Sequence, residues 1–164
     1  MNDVVLSLIL GTATPGGGFP VYGDAYAEIL NAQEPQLRIE TRNTKGSTEN
    51  VPLLEGGKLD LGLVAGELAS AALAKPGTQL RIVAAMYSSP GMFVVRADSP
   101  IRRIEDLRHK SVVLGTQGSG ITVLGRIVLK SLDIPFESLS DAPSSKANRS
   151  GITPRTLQAA WEFG

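Results

Sequence analysis

The sequence has no cysteine, one histidine and one tryptophan. Without cysteine there is no disulfide framework, no thiolate metal site and no cysteine nucleophile. This absence does not select a redox compartment. The single histidine, His109, sits between Arg108 and Lys110 and reads as an exposed turn residue. It would be the sole candidate base for a serine triad, yet there is no G-x-S-x-G elbow. Nor is there an H-E-x-x-H motif or a calcium loop, so the sequence supports neither catalysis nor a metal site. Charge is not in excess either: 16 basic residues balance 16 acidic ones, which counts against a nucleic-acid or anionic-membrane partner. No apolar run approaches the roughly 20 residues needed to cross a bilayer. Residues Val4 to Leu10 are apolar, but they lack the basic start and cleavage site of a secretory signal and read as a strand.

What is present is glycine, arranged between apolar runs. At 164 residues the chain suits one medium domain or two small lobes with a real core. The run Val4 to Leu10 meets a glycine-rich turn, Gly11 to Gly18, and then a helical pattern with Phe19, Tyr22, Tyr26 and Ile29 at spacings of three and four. A buried strand feeding such a turn leaves free backbone N–H groups at the helix start, where the dipole favours an anion. Thr12, Thr14, Gly16, Gly17 and Gly18 are therefore read as an anion cradle rather than a plain tight turn. After a polar break, Leu37 to Thr41 alternates as a strand. A polar loop then carries Gly46, Ser47, Thr48 and Asn50, with Ser47 or Thr48 expected to cap a short helix whose first turn tolerates Pro52. Leu59 to Val64 reads as a third strand, Ala65-Gly66-Glu67 opens an alanine-rich helix, and Leu80 to Met86 reads as a fourth strand. Such alternation predicts a mainly parallel sheet covered by helices, with ligands beyond the carboxyl ends of the strands.

The second half echoes the first without a residue-level repeat. Met92 to Ala97 reads as a strand and Ile101 to Leu107 as a short helical turn capped by Ser99. Ser111 to Leu114 then feeds the Gly115 to Gly120 turn (GTQGSG), and Ile121 to Leu132 is an amphipathic helix. The glycine spacing is G-x-x-G-x-G, not the dinucleotide fingerprint, so a nucleotide-binding enzyme using this loop is only the alternative reading. Residues 138–156 are polar and serine-rich, expected as loop or disorder. Leu157 to Phe163 would allow a last strand. Arg96 is a candidate for a ligand carboxylate, and Tyr87, beside Ser88 and Ser89, for a ligand wall.

Four motifs in order, GTATPGGGFP, TRNTKGSTENVPLLEGGKLDLGLVAGE, LRIVAAMYSSPGMFVVRADSPIRRIEDL and KSVVLGTQGSG, resemble the TAXI-type solute-binding proteins of TRAP transporters. These are relatives of the type II periplasmic binding proteins. The resemblance implies an α/β fold of two lobes, mainly parallel sheets flanked by helices, closing on a small carboxylate or amino acid such as glutamate or a dicarboxylate. It implies ligand contacts near Thr12 to Gly18, Gly46 to Asn50, Gly66 and Glu67, Tyr87 to Ser89, and along Thr116, Gly118, Ser119, Gly120 and Thr122. The first lobe would be 1–91 and the second, incomplete, 92–164. The family pattern runs past Gly164, which implies a chain cut short, with apolar surface left on the Ile121 to Leu132 helix that invites a homodimer. Periplasmic or extracytoplasmic location and TRAP membrane subunits as partners follow from the same resemblance, with no cofactor and no enzymatic activity.

Overall fold

In the computed structural model, residues 5–88, 91–115, 119–138 and 159–163 are described, the last stretch by its backbone. The chain divides into two compact units, Met1–Ala85 and Met86–Gly164.

The first unit is a three-stranded parallel sheet in the order β2-β1-β3, formed by β1 (Leu6–Gly11), β2 (Leu37–Arg42) and β3 (Leu61–Gly62). Each strand is followed by a helix: α1 (Gly18–Gln33), α2 (Ser47–Glu55) and α3 (Gly66–Leu73). Parallel neighbours need a crossover, and the helices supply it. The side-chain period of two sends Leu8, Leu10, Leu37, Ile39, Leu61 and Leu63 to one face. There they pack with Phe19, Tyr22, Tyr26, Ala27 and Leu30 of α1. The aromatic residues at helical spacing thus belong to the core. At the far end of α1, the Asn31 carboxamide donates to the Ile39 carbonyl (2.9 Å) and accepts from the Ile39 N–H (2.7 Å), pegging helix to strand.

Two expectations for this unit are corrected. Residues 80–86 form no strand: Ile82 is 63% and Val83 80% exposed, and none of the described strands pairs with them. An apolar β-branched run reads as a strand only if a sheet edge accepts its backbone, and β3, two residues long, offers little edge. The second correction concerns α2. It begins at Ser47 with Gly46 as N-cap, so neither Ser47 nor Thr48 is the cap, and Pro52 lies in the second turn. Gly46 has φ 92°, a left-handed conformation that glycine accepts without strain.

The second unit holds a four-stranded mixed sheet in the order β4-β7-β5-β6. Its strands are β4 (Gly91–Val94), β5 (Ser111–Val113), β6 (Glu137–Ser138) and β7 (Ala159–Phe163), with β7 antiparallel to β4 and parallel to β5. Ile101, Leu107, Val112, Leu114, Leu129 and Ile134 form its buried core, the last two from and just after α4 (Gly120–Ser131). A 3-10 turn at Ile104–Leu107 replaces the longer helical turn expected from 101. Ser99 Oγ accepts from the Ile101 N–H (3.2 Å), and the Asp106 carboxylate accepts from the N–H groups of Arg102 (2.9 Å) and Arg103 (3.0 Å). These amides hold the Asp106 carboxyl below its usual range. The expected loop at 138–156 lies outside the described residues except for Ser138, which ends β6.

Among the described residues, no helix is long and apolar enough to cross a membrane.

Candidate functional site

The parallel register makes the carboxyl edge of the first sheet level: Gly11 stands opposite Arg42 on one side and Gly62 on the other. The three loops that leave this edge run straight into the starts of α1, α2 and α3. None of the three helices has a side-chain cap on its N-terminus. Each helix start leaves backbone N–H groups with no intrahelical partner, and three dipoles add positive potential at one edge. The first turns of α2 and α3 carry Glu49 and Glu67, whereas that of α1 carries no acid. Pro15, Gly16, Gly17 and Gly18 are exposed beside it.

Behind these loops lies a fully packed polar cluster. Thr12 and Asn50 are 0% exposed and Ser47 1%. The Asn50 amide Nδ2 donates to the carbonyls of Thr12 (2.8 Å), Leu63 (2.8 Å) and, at longer range, Gly11 (3.3 Å). Its Oδ1 accepts from the Thr44 hydroxyl (2.8 Å), which in turn accepts from the Gly46 N–H (3.0 Å). Ser47 Oγ accepts from the Ala65 N–H (2.9 Å), and the Thr12 hydroxyl reaches the Arg42 carbonyl (3.2 Å) and Asn43 Oδ1 (3.3 Å). Glu49 accepts from the Lys45 N–H (2.6 Å). Buried polar groups are tolerable only when paired, and these are paired with the loops themselves.

The site residues read from sequence therefore divide by position. Thr12, Ser47 and Asn50 are interior groups that shape the edge, while Thr14 is half-buried and Gly16, Gly17, Gly18, Gly66 and Glu67 are exposed at it. Gly46 is buried and Thr48 half-buried at the start of α2. The partner of Asn50 that sequence reasoning passed over is Thr44, whose one signal is a hydroxyl two residues before a turn glycine.

The second unit gathers the remaining described candidates. Ser119 caps α4, its Oγ accepting from the Thr122 N–H (3.4 Å), and the Thr122 hydroxyl donates to the Leu114 carbonyl (2.9 Å), tying strand end to helix start. Gly120 is buried in the same turn. Tyr87 and Ser88 lie in exposed irregular backbone, with Tyr87 43% exposed. Thr116 and Gly118 lie outside the described residues. The Arg96 guanidinium pairs with Asp98 through two bonds (2.9 and 2.8 Å), which raises the Arg96 pKa and lowers that of Asp98. His109 is exposed, with φ 58° and its N–H on the Pro135 carbonyl (2.6 Å). No group of three or more metal-ligating side chains occurs among the described residues.

Solved structures share this arrangement, and the fold is that of the type II periplasmic solute-binding proteins. A probable amino-acid ABC transporter extracellular-binding protein from Bacillus subtilis matches 97% of this chain and 71% of its own, with TM-score 0.64 and 15% identity. A putative L-cystine ABC transporter from Listeria monocytogenes matches 97% of this chain and 70% of its own, with TM-score 0.69 and 15% identity. The GluR0 ligand-binding core in complex with L-glutamate matches 97% and 70%, with TM-score 0.63 and 15% identity. At such identities the likeness is one of fold. The chain belongs to the NMT1-like family, whose model matches residues 10–152.

Proposed function

We propose that this chain is the solute-binding component of an uptake transporter and holds a small carboxylate or amino acid, such as glutamate or a dicarboxylate, without transforming it. The observation that carries the reading is the level edge of the first sheet, where three helix N-termini without side-chain caps meet an exposed glycine loop. The carboxylate is assigned to the start of α1, where no first-turn acid opposes it, and Glu67 to a ligand amine. Thr14, Gly16, Gly17, Gly18, Gly66 and Glu67 supply contacts in this reading. The solved relatives that bind amino acids support the substrate class, and the order of the four sequence motifs supports the finer placement among TAXI-type proteins working with TRAP membrane subunits outside the cytoplasmic membrane.

Isothermal titration with L-glutamate, L-arginine, succinate and 2-oxoglutarate tests the reading. Saturable binding of one of them, weakened by Gly17→Asp at the start of α1, is the expected result. Silence across the panel, or a thermal shift with NAD or ATP instead, overturns it. Light scattering on the same sample reads whether Ile127 and Leu132, 48% and 50% exposed on and just after α4, support a homodimer.

A further inference from the structure

We propose that Asn50 is a positioning residue for solute binding: its carboxamide ties the loops after β1, β2 and β3 together and sets the three helix starts before any solute arrives. The proposal rests on the solute-binding reading for the use of this edge, while the tie itself can be measured without solute.

The chemistry of the pocket selects this side chain. Three carbonyl oxygens, of Gly11, Thr12 and Leu63, face its nitrogen, and one hydroxyl, of Thr44, faces its oxygen. A carboxamide offers two N–H donors to the first and an oxygen acceptor to the second, whereas a hydroxyl or a protonated carboxyl of similar size has only one donor. The same environment fixes which way the amide points, since a reversed amide would set its oxygen against three others. The bonds span 39, 38, 13 and 6 residues of sequence, so one side chain joins segments that the backbone keeps far apart. Thr44 passes the tie to the Gly46 N–H, and the neighbouring Ser47 hydroxyl fixes the Ala65 N–H at the start of α3.

Asn31 supplies the internal comparison. It too is a carboxamide bonded to backbone, but both its bonds go to one residue, Ile39. It lies in the last turn of α1, about 20 Å along the helix from the loop edge at 1.5 Å per residue. A structural peg of that kind stabilises one helix on one strand. Asn50 instead lies where three loops meet. Its loss frees all three at once, and a solute would then have to order them on binding, which lowers affinity.

Ligand-free amide exchange on the full chain decides between the two roles, run where circular dichroism shows each variant folded. Asn50→Ala is expected to speed exchange by about tenfold or more in all three segments, 12–14, 44–47 and 64–67. Asn31→Ala is expected to leave those segments at wild-type rates and to loosen 31–39. Unchanged loops in Asn50→Ala, or equal loosening in Asn31→Ala, overturns the proposal. Should Asn50→Ala fail to fold, Thr44→Val removes one hydroxyl of the same cluster, and wild-type rates at 12–14 and 44–47 in that variant overturn it equally. Titration with L-glutamate and succinate is the second readout. An affinity about tenfold weaker in Asn50→Ala or Thr44→Val but not in Asn31→Ala supports positioning, and equal affinity in all three overturns it. If the wild-type chain binds no solute, the functional reading falls and the exchange result still decides the tie.

Discussion

The two units solve one problem, joining a strand end to a helix start, with different materials. In the first, the joints after β1, β2 and β3 are held by the buried Thr12, Thr44, Ser47 and Asn50, whose hydrogen bonds run between loops. In the second, the joint from β5 to α4 is held locally by Ser119 and the buried Thr122, beside a core cluster of Ile101, Leu107, Val112, Leu114, Leu129 and Ile134. A hydrophobic core is non-directional and tolerates modest sliding. A hydrogen-bonded cluster holds its loops in one arrangement because each buried group left without its partner costs about 1–3 kcal/mol. The first unit is therefore built to hold a surface of loops in place, and the second to hold a sheet and helix together.

That contrast is broken or sharpened by substitutions on each side, the largest effect first. Leu129→Ala empties a fully buried position in the second core and should destabilise that unit by about 3 kcal/mol. Urea unfolding followed by unit-resolved exchange checks it, and loosening of the first unit by a similar amount would break the distinction. Gly11→Ala comes next. The added Cβ would stand 2.4 Å from Leu59 Cδ1 and 2.7 Å from Asn50 Oδ1, an overpacking expected to cost about 2 kcal/mol and to disturb the polar cluster directly. A crystal structure of that variant with the Asn50 bonds intact would contradict the expectation.

Asn50→Asp keeps the shape and removes the donor. A buried carboxyl facing three carbonyls has its pKa raised above that of the unfolded chain. Its protonated form can still donate one bond, so relative stability is present at low pH and is lost as pH rises through the raised folded value. The melting deficit against wild type should accordingly widen as pH rises above the ordinary carboxylate range, and a deficit independent of pH would count against the donor's role. Smallest is Asp106→Asn in the 3-10 turn Ile104–Leu107. The folded Asp106 pKa is lowered from 3.8, chiefly by the Arg102 and Arg103 amides, so its contribution is present above that value and lost as pH falls through the lowered one. A wild-type advantage that shrinks only in acid is expected from thermal melts across pH.

Much of the first unit was legible in the residues because its signals are local. The apolar run before a glycine turn fixes β1, and the spacing of Phe19, Tyr22 and Tyr26 fixes the buried side of α1. The run at 80–86 was misread for the opposite reason. Its pattern is that of a strand, but a strand exists only when another backbone accepts its hydrogen bonds, and sequence does not show the partner.

The order of apolar runs and glycine turns by itself determined an α/β chain with helices starting at one edge of a parallel sheet, because periodicity and turn chemistry act between near neighbours. Only the folded structure decided that Asn50, Thr44 and Ser47 turn inward to bind loops rather than outward. Hydrogen-bond direction depends on which carbonyls are brought within 3 Å, and residues as far apart as 12 and 50 meet only when the strands have paired.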